Sequence, residues 1–386
     1  MKILQVILLC ILLMLQSVSC GHAPKEDSSD SALLSEYLQT LELPENFSIQ
    51  FDPDSVEQLS SAKLYQADFL QFDEDTVKQE FLKYDIKAEH SYAEGPQWET
   101  EKEYLTLYDG GASFFGREQD DSGINYQLLI NGIKSPSLYA KLSNIVMLAP
   151  DPVELNAVKP FDDKRHFSSF TDLPFMPYAQ AYDDVSALLA RTGFPDLEVV
   201  EAYSLDLDTL QRHHSLYIDY YNDIDSDLAM DEQARTYSEE DEAYLFFFRQ
   251  MIDSIPLANM NWQTITFDTV PTETTIFVLY TRDGIRDTFS HNLYSPGEGA
   301  EHRLISSTRA CQVLVDTYSQ SIIDEDTSVE SMELNYVATL TNSGFELIPS
   351  WIFRIVTSTQ VDGKAYYPNS YFVLNACTGE RIVKAR

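Results

Sequence analysis

Basic residues are scarce in this chain. Its 386 residues hold 26 Lys plus Arg against 62 Asp plus Glu, a formal charge of −36. A surplus of that size repels a phosphate backbone and anionic lipid headgroups, so it excludes nucleic-acid binding and a peripheral electrostatic grip on a membrane. Cysteine is rare too, four in all, and no CxxC or Cys/His spacing of a zinc site occurs. No GxSxG, HExxH or P-loop string is present. The acidic stretch Asp223-Ile224-Asp225-Ser226-Asp227 lacks what an EF-hand loop needs, because Leu228 and Ala234 stand where Gly and Glu are required. Asp324-Glu325-Asp326 is read in the same way, as a solvated acidic loop. His213 and His214 are adjacent, and neighbours on a helix point about 100° apart, with no third ligand at a fixed offset. Among 62 carboxylates some fall close together by chance, so pairing alone does not argue for a glycosidase. No cofactor, no metal and no catalytic residue is expected.

What is present begins with the leader. Lys2 is the only charge before Lys25, and Ile3 to Leu15 is apolar except for one Gln. Ser17-Val18-Ser19 then gives a small-residue exit before Cys20-Gly21. A basic start, a short apolar stretch and a small-residue exit describe a secretory signal, residues 1–19. The stretch is short for a membrane span, which needs about 20 apolar residues. Ser17-Val18-Ser19-Cys20 resembles the lipobox of bacterial lipoproteins, departing from it at Ser17, where Leu is usual. That resemblance implies lipid attachment at Cys20 and a body anchored to the outer face of the cell membrane. A plain secreted protein and an uncleaved signal anchor are the alternatives. Residues 20–30 are polar and suit a flexible tether.

Apolar residues make 44% of the chain, enough to bury a core. Residues 31–43 predict a short amphipathic helix closed by Pro44, 63–69 a strand, and the stretch after Asp73 a helix carrying Val77, Phe81 and Leu82. Alternation at 104–108 and 126–130 predicts strands around a Gly110-Gly111 turn, so 31–150 is expected as an N-terminal α+β domain. Residues 151–238 are expected as a proline-rich wrap followed by a helix over 178–191, a strand over 197–205 and a helix over 207–221. Within 239–386 a helix over 239–252 precedes strands at 262–267, 275–280 and 285–293. A helix over 306–319 precedes strands at 332–340, 351–358 and 371–377. Asp283-Gly284 supplies a hairpin turn between two of them. The expected fold class is α+β, antiparallel sheets with helices on one face, and helix followed by three strands occurs twice. Cys10 leaves with the signal. Cys311 and Cys377 are then either buried free thiols or one disulfide, which an exported compartment permits.

The last fifty residues carry the most specific pattern. A strand passes through Tyr336, Leu347-Ile348-Pro349-Ser350-Trp351 opens the next, and 371–377 runs into Thr378-Gly379-Glu380. This resembles the C-terminal part of PepSY-like envelope domains, the YycI/YycH-type regulators and a group of lipoproteins of Gram-positive bacteria. The resemblance implies a non-catalytic envelope protein that binds or restrains a protein or peptide partner. Tyr336, Trp351, Tyr366 and Tyr371 are the candidate partner-binding residues. It also implies an exposed sheet edge or groove on the C-terminal module, suited to strand addition. Two other functions are weighed beside it. One is a secreted hydrolase acting on envelope material. The other is a surface protein that binds sugar or peptide through exposed aromatics, with Tyr217, Tyr221 and Tyr366 as its candidate rings.

Overall fold

The structure, a computed structural model, describes residues 34–81, 86–94, 100–108, 114–120, 123–129, 168–212, 214–215, 236–258, 275–341, 344–361, 364–367 and 369–382. In chain order these form α1 (Leu34–Leu38), β1 (Phe47–Ile49), β2 (Ser61–Phe69), α2 (Glu74–Phe81), β3 (Ile86–Glu94), β4 (Thr100–Tyr108), β5 (Phe114–Asp120), β6 (Gly123–Leu129), β7 (Ser168–Ser169), α3 (Tyr178–Arg191), β8 (Leu197–Leu205), β9 (Ala243–Ile252), β10 (Ile255–Pro256), β11 (Thr275–Thr281), β12 (Gly284–His291), β13 (Tyr294–Arg303), α4 (Ser307–Tyr318), β14 (Asp326–Thr341), β15 (Gly344–Val361), β16 (Lys364–Tyr366) and β17 (Asn369–Asn375). The leader, Cys20, the tether, the Asp223 loop, Tyr217, Tyr221 and the strand expected at 262–267 lie outside the described residues, as do 150–167 of the proline-rich wrap.

The fold is α+β, built on two sheets. Sheet I runs β1-β14-β15-β2-β13, with β16 and β17 also paired to β15. Sheet II runs β3-β4-β5-β6-β12-β11-β9-β8-β7, with β10 on β9. Among the described strand pairs only β1 with β14 is parallel, and the isolated bridge Leu257–Tyr336 is parallel too. The sheets cut across the domain boundaries expected at 150 and 239. β2, from the N-terminal region, sits between β15 and β13 of the C-terminal region. The middle of the chain, with β3 to β6 at one end, forms sheet II.

Each sheet carries a helix on one face. Ala181, Val185 and Leu189 of α3 recur every four residues and bury against Tyr244, Phe246, Phe248, Ile276 and Val278 of sheet II. The helix ends at Thr192, Gly193 follows with φ +90°, and Pro195 cannot continue it. Ala310, Cys311, Leu314 and Val315 of α4 bury against Trp351, Phe353, Ile355 and Phe372 of sheet I. The Ser306 side chain caps α4 by accepting from the Arg309 amide at 3.1 Å.

Helix followed by a three-stranded meander does occur twice, but the first copy is displaced from its expected place. It is α3, β8, β9 and β11; the second is α4, β14, β15 and β17. The helix expected over 239–252 is a short 3-10 turn and then β9. The reason is burial on both sides. Tyr244, Phe246 and Phe248 face α3, whereas Ala243, Leu245 and Phe247 face a second cluster with Tyr203, Leu205 and Leu279. A strand buried on both faces shows no alternation, and periodicity cannot separate it from a buried helix. The helix expected over 207–221 is present at 207–212 and 214–215, with the rest outside the described residues.

Several contacts among the described residues join the sheets, and three of them lie at turns or at the crossing of the chain. The tip between β9 and β10 is Asp253-Ser254, both at positive φ (48° and 68°), a two-residue type I′ turn. There the Asp253 carboxylate accepts from the Tyr65 hydroxyl and from Lys63 Nζ. Gly299 lies opposite Tyr65, and a Cβ there would run into that ring. Beyond β10, Leu257 bridges to Tyr336, and the Ala258 amide donates to the Tyr336 carbonyl at 2.8 Å. The third link is Gln250, 1% exposed. Its Nε2 donates to the Tyr294 carbonyl at 2.6 Å, and its Oε1 accepts from the Tyr294 amide at 2.9 Å. This occurs where the chain leaves sheet II for sheet I, at Asn292 with φ 51°. Gln250→Leu keeps the volume and strips both bonds. Buried groups left unpaired cost about 1–3 kcal/mol each, so urea denaturation of the variant is expected to show a stability loss of about 2–6 kcal/mol.

Candidate functional site

In sheet I, alternate residues leave on opposite faces. Phe47 of β1 turns toward α4 and packs against Tyr318, the rings tilted by 32° with centroids 4.8 Å apart. Ser48 therefore turns the other way. Register places Ser48 beside Ser328 of β14, and Ser328 beside Val356 of β15. The next row, nearer the sheet end, holds Asn46, Asp326 and Ser358, with Asp326 paired directly to Ser358. Neighbouring strands lie about 4.8 Å apart and alternate residues about 7 Å. Two rows, polar except at Val356, thus cross three strands on the face away from α4.

Tyr367, in the connection between β16 and β17, and Gln50, just past β1, complete the rim. Together with Phe47 and Thr327 these residues bound a groove of about 360 Å³. Its buried floor is Val356. Some lining groups are already held: Gln50 Nε2 donates to Ser48 Oγ at 3.3 Å, Ser328 Oγ donates to Glu330 Oε1 at 2.5 Å, and Asn46 Nδ2 donates to the Ile323 carbonyl at 3.0 Å. Among the described residues that line the groove, none is Lys, Arg or His. The site is thus a field of hydroxyl and amide groups with one carboxylate, Asp326. Among the described residues no three His, Cys, Asp or Glu side chains are grouped to hold a metal ion.

The candidate partner-binding residues fall elsewhere. Tyr336 and Trp351 are fully buried on the α4 side, so neither offers a surface. Trp351 Nε1 donates to the Ile305 carbonyl at 3.1 Å, and the Tyr336 hydroxyl donates to the Lys63 carbonyl at 2.8 Å. Each aromatic is a core residue with its polar atom satisfied. Tyr371 is half-buried against Val373 and Ile352 on the open face. Tyr366 belongs to β16, and its side chain lies outside the described residues. Cys311 and Cys377 are free thiols. Burial pushes the Cys311 thiol up to about 12, and its sulfur sits 3.6 Å from that of Met332.

The groove residues were missed because they are ordinary in sequence. Asn46-Phe47-Ser48-Ile49-Gln50 does alternate polar and apolar, a visible sign of a half-exposed strand. That β1 pairs with residues 327–329 is a long-range fact that no local pattern carries.

No family model and no curated protein matches the chain. The solved structures give a likeness of fold. A crystal structure of an uncharacterised protein from Eubacterium rectale superposes with a TM-score of 0.56 at 14% identity, over 87% of this chain and 88% of that one. The C-terminal domain of Bacillus megaterium YpeB is matched with a TM-score of 0.28 at 10% identity, over 83% of this chain and 100% of that one. The first likeness shows a shared architecture. The second score is too low to support more.

A second polar feature lies on sheet II. Glu242, at the entry to β9, is 3% exposed. Its Oε1 accepts from the Leu207 amide at 3.3 Å, and its Oε2 is buried with no hydrogen-bond partner. Burial raises its pKa, and Asp206 and Glu239 push the same way against Leu207 and Arg282. A carboxyl whose folded pKa is raised supports the fold while protonated, and that support fades as pH climbs through the folded value. Glu242→Gln is therefore expected to melt higher than wild type at neutral pH, by on the order of 1 kcal/mol. The gap closes as pH falls below the ordinary glutamate range, a trend that calorimetry across pH reads.

Proposed function

We propose that this chain is an exported, lipid-anchored, non-catalytic envelope protein whose PepSY-like body binds or regulates a partner outside the membrane. The observation that supports it most is the leader. Residues 1–19 have the layout of a secretory signal, and Cys20 follows the small residues where a lipobox places its cysteine. Two acyl chains with an N-terminal one hold a protein firmly, whereas a single chain does not. The body's charge of −36 repels an anionic surface, so the polar tether after Cys20 would keep it clear of the bilayer.

The body is compatible with such a role. Each sheet packs one face on a helix, and sheet I carries a polar groove on its other face. Strand addition at the two ends of the main strand order is less well served. β1 has only three residues. β13, at the opposite edge, contains Pro296 and a register shift between Pro296 and Gly299, devices that blunt an edge. The groove, rather than an edge, is the surface on which we place partner binding.

The anchor is tested by metabolic labelling with an alkyne fatty acid in a Gram-positive host. The wild-type chain is expected to take the label and sediment with membranes. Cys20→Ala is expected to lose the label and most of its membrane association. Equal labelling of both chains, or wild type recovered from the cytosol with Met1 intact, would refute the reading.

A further inference from the structure

We infer that the groove on the open face of sheet I is a binding site for a short neutral saccharide. This deepens the proposed function by naming the ligand class of that surface, and it rests on the groove being the binding surface, not on the anchor.

The charge of the site limits the choice first. The described lining residues carry one carboxylate, Asp326, and no cation, within a chain of −36. Phosphorylated or carboxylated ligands would meet repulsion with no compensating hydrogen-bonded cation. The chemistry of the lining limits it again. Asn46, Ser48, Gln50, Ser328, Ser358 and Tyr367 each bring a hydroxyl or an amide. Such groups both donate and accept, and so do the hydroxyls of a sugar ring. Asp326 adds an acceptor able to take two hydroxyl protons. The Asp326 and Ser358 side chains make no hydrogen bond among the described residues.

Shape agrees with this. A sugar ring has an edge of hydroxyls and a face of C–H groups. The groove offers an apolar floor at Val356 and an aromatic ring at its rim, Tyr367, beside the polar rows. Its volume of about 360 Å³ lies at the small end of ligand sites, room for a short oligosaccharide. The platform is also rigid. Its rows stand on three hydrogen-bonded strands, and Ser328 is oriented by Glu330. An extended peptide is the other class considered, and it suits the site less well. The adjoining edge strand is three residues long and gives few main-chain groups for strand addition.

The test uses the full chain purified in detergent and isothermal titration calorimetry. The probes are neutral oligosaccharides of two to four units: chito-, cello- and malto-oligosaccharides. One of these classes is expected to bind, and the carboxylated oligogalacturonides are expected not to. Tyr367→Ala and Ser358→Arg are each expected to weaken binding at least tenfold. Melting temperature should stay unchanged, since both side chains lie partly exposed at the rim. Three results overturn the assignment: no binding by any neutral probe, affinity unchanged in both variants, or tight binding of an unstructured Ser/Ala decapeptide that the same variants abolish. A chain that carries lipid but binds no sugar would end this assignment and leave the anchor standing.

Discussion

The crossing of the chain from one sheet to the other depends on one buried amide. Gln250 lies on sheet II, and Tyr294 opens the first strand after the crossing into sheet I. Both polar ends of the side chain are matched to one residue's backbone, so the crossing is fixed in direction as well as position. A buried amide is costly unless fully satisfied, and here it substitutes for the ladder partner that the chain loses when it leaves a sheet. The Leu70 amide, which donates to the Leu293 carbonyl at 2.8 Å, reinforces the same junction from the N-terminal side. Phe69, Tyr294 and Phe345 pack their rings around it with centroids 4.6 to 5.5 Å apart. Polar matching thus sits inside an apolar collar, where the low dielectric strengthens each bond.

That junction explains how so discontinuous a fold can hold. β2 is flanked by strands more than two hundred residues away in sequence, and no hairpin closes it locally. Such pairing costs chain entropy before contacts repay it. β14, β15 and β17 follow one another by short connections, whereas β2 enters from far off in sequence, between β15 on one side and the blunted β13 on the other. Gly299 permits that placement because the Tyr65 ring lies across it.

Local elements were therefore legible in the sequence, and their assembly was not. Residues 178–191 and 197–205 were readable to the residue, because α3 has a four-residue apolar stripe and clear end signals. The hairpin at Arg282-Asp283 was readable from the glycine after it, and the positive φ of 102° does fall on Gly284. β9 was misread because its apolar run serves two cores at once. The resemblance marks Trp351 and Tyr336 as contact residues, yet the side of the sheet on which a ring falls depends on register. The groove was invisible for the same reason. Its members come from three strands, and only pairing brings Ser48, Ser328 and Val356 into line.

Register in β14 also shows why strict alternation fails there. Val329 pairs with Ile355, but Ser331 pairs with Arg354, so Glu330 is an extra residue, a β-bulge. Before it, even-numbered Asp326 and Ser328 face the groove, and Val329 faces α4. After it, even-numbered Met332, Leu334, Tyr336 and Ala338 join the α4 core, and Glu333 and Val337 turn to the open face. Without the bulge one half of this strand would point the wrong way, since a shift of one residue exchanges the faces. The same bulged residue then holds Ser328 at the groove through its carboxylate. One inserted residue thus keeps a 16-residue strand amphipathic and supplies the anchor for a lining hydroxyl. Core packing and groove geometry are set by the same backbone irregularity.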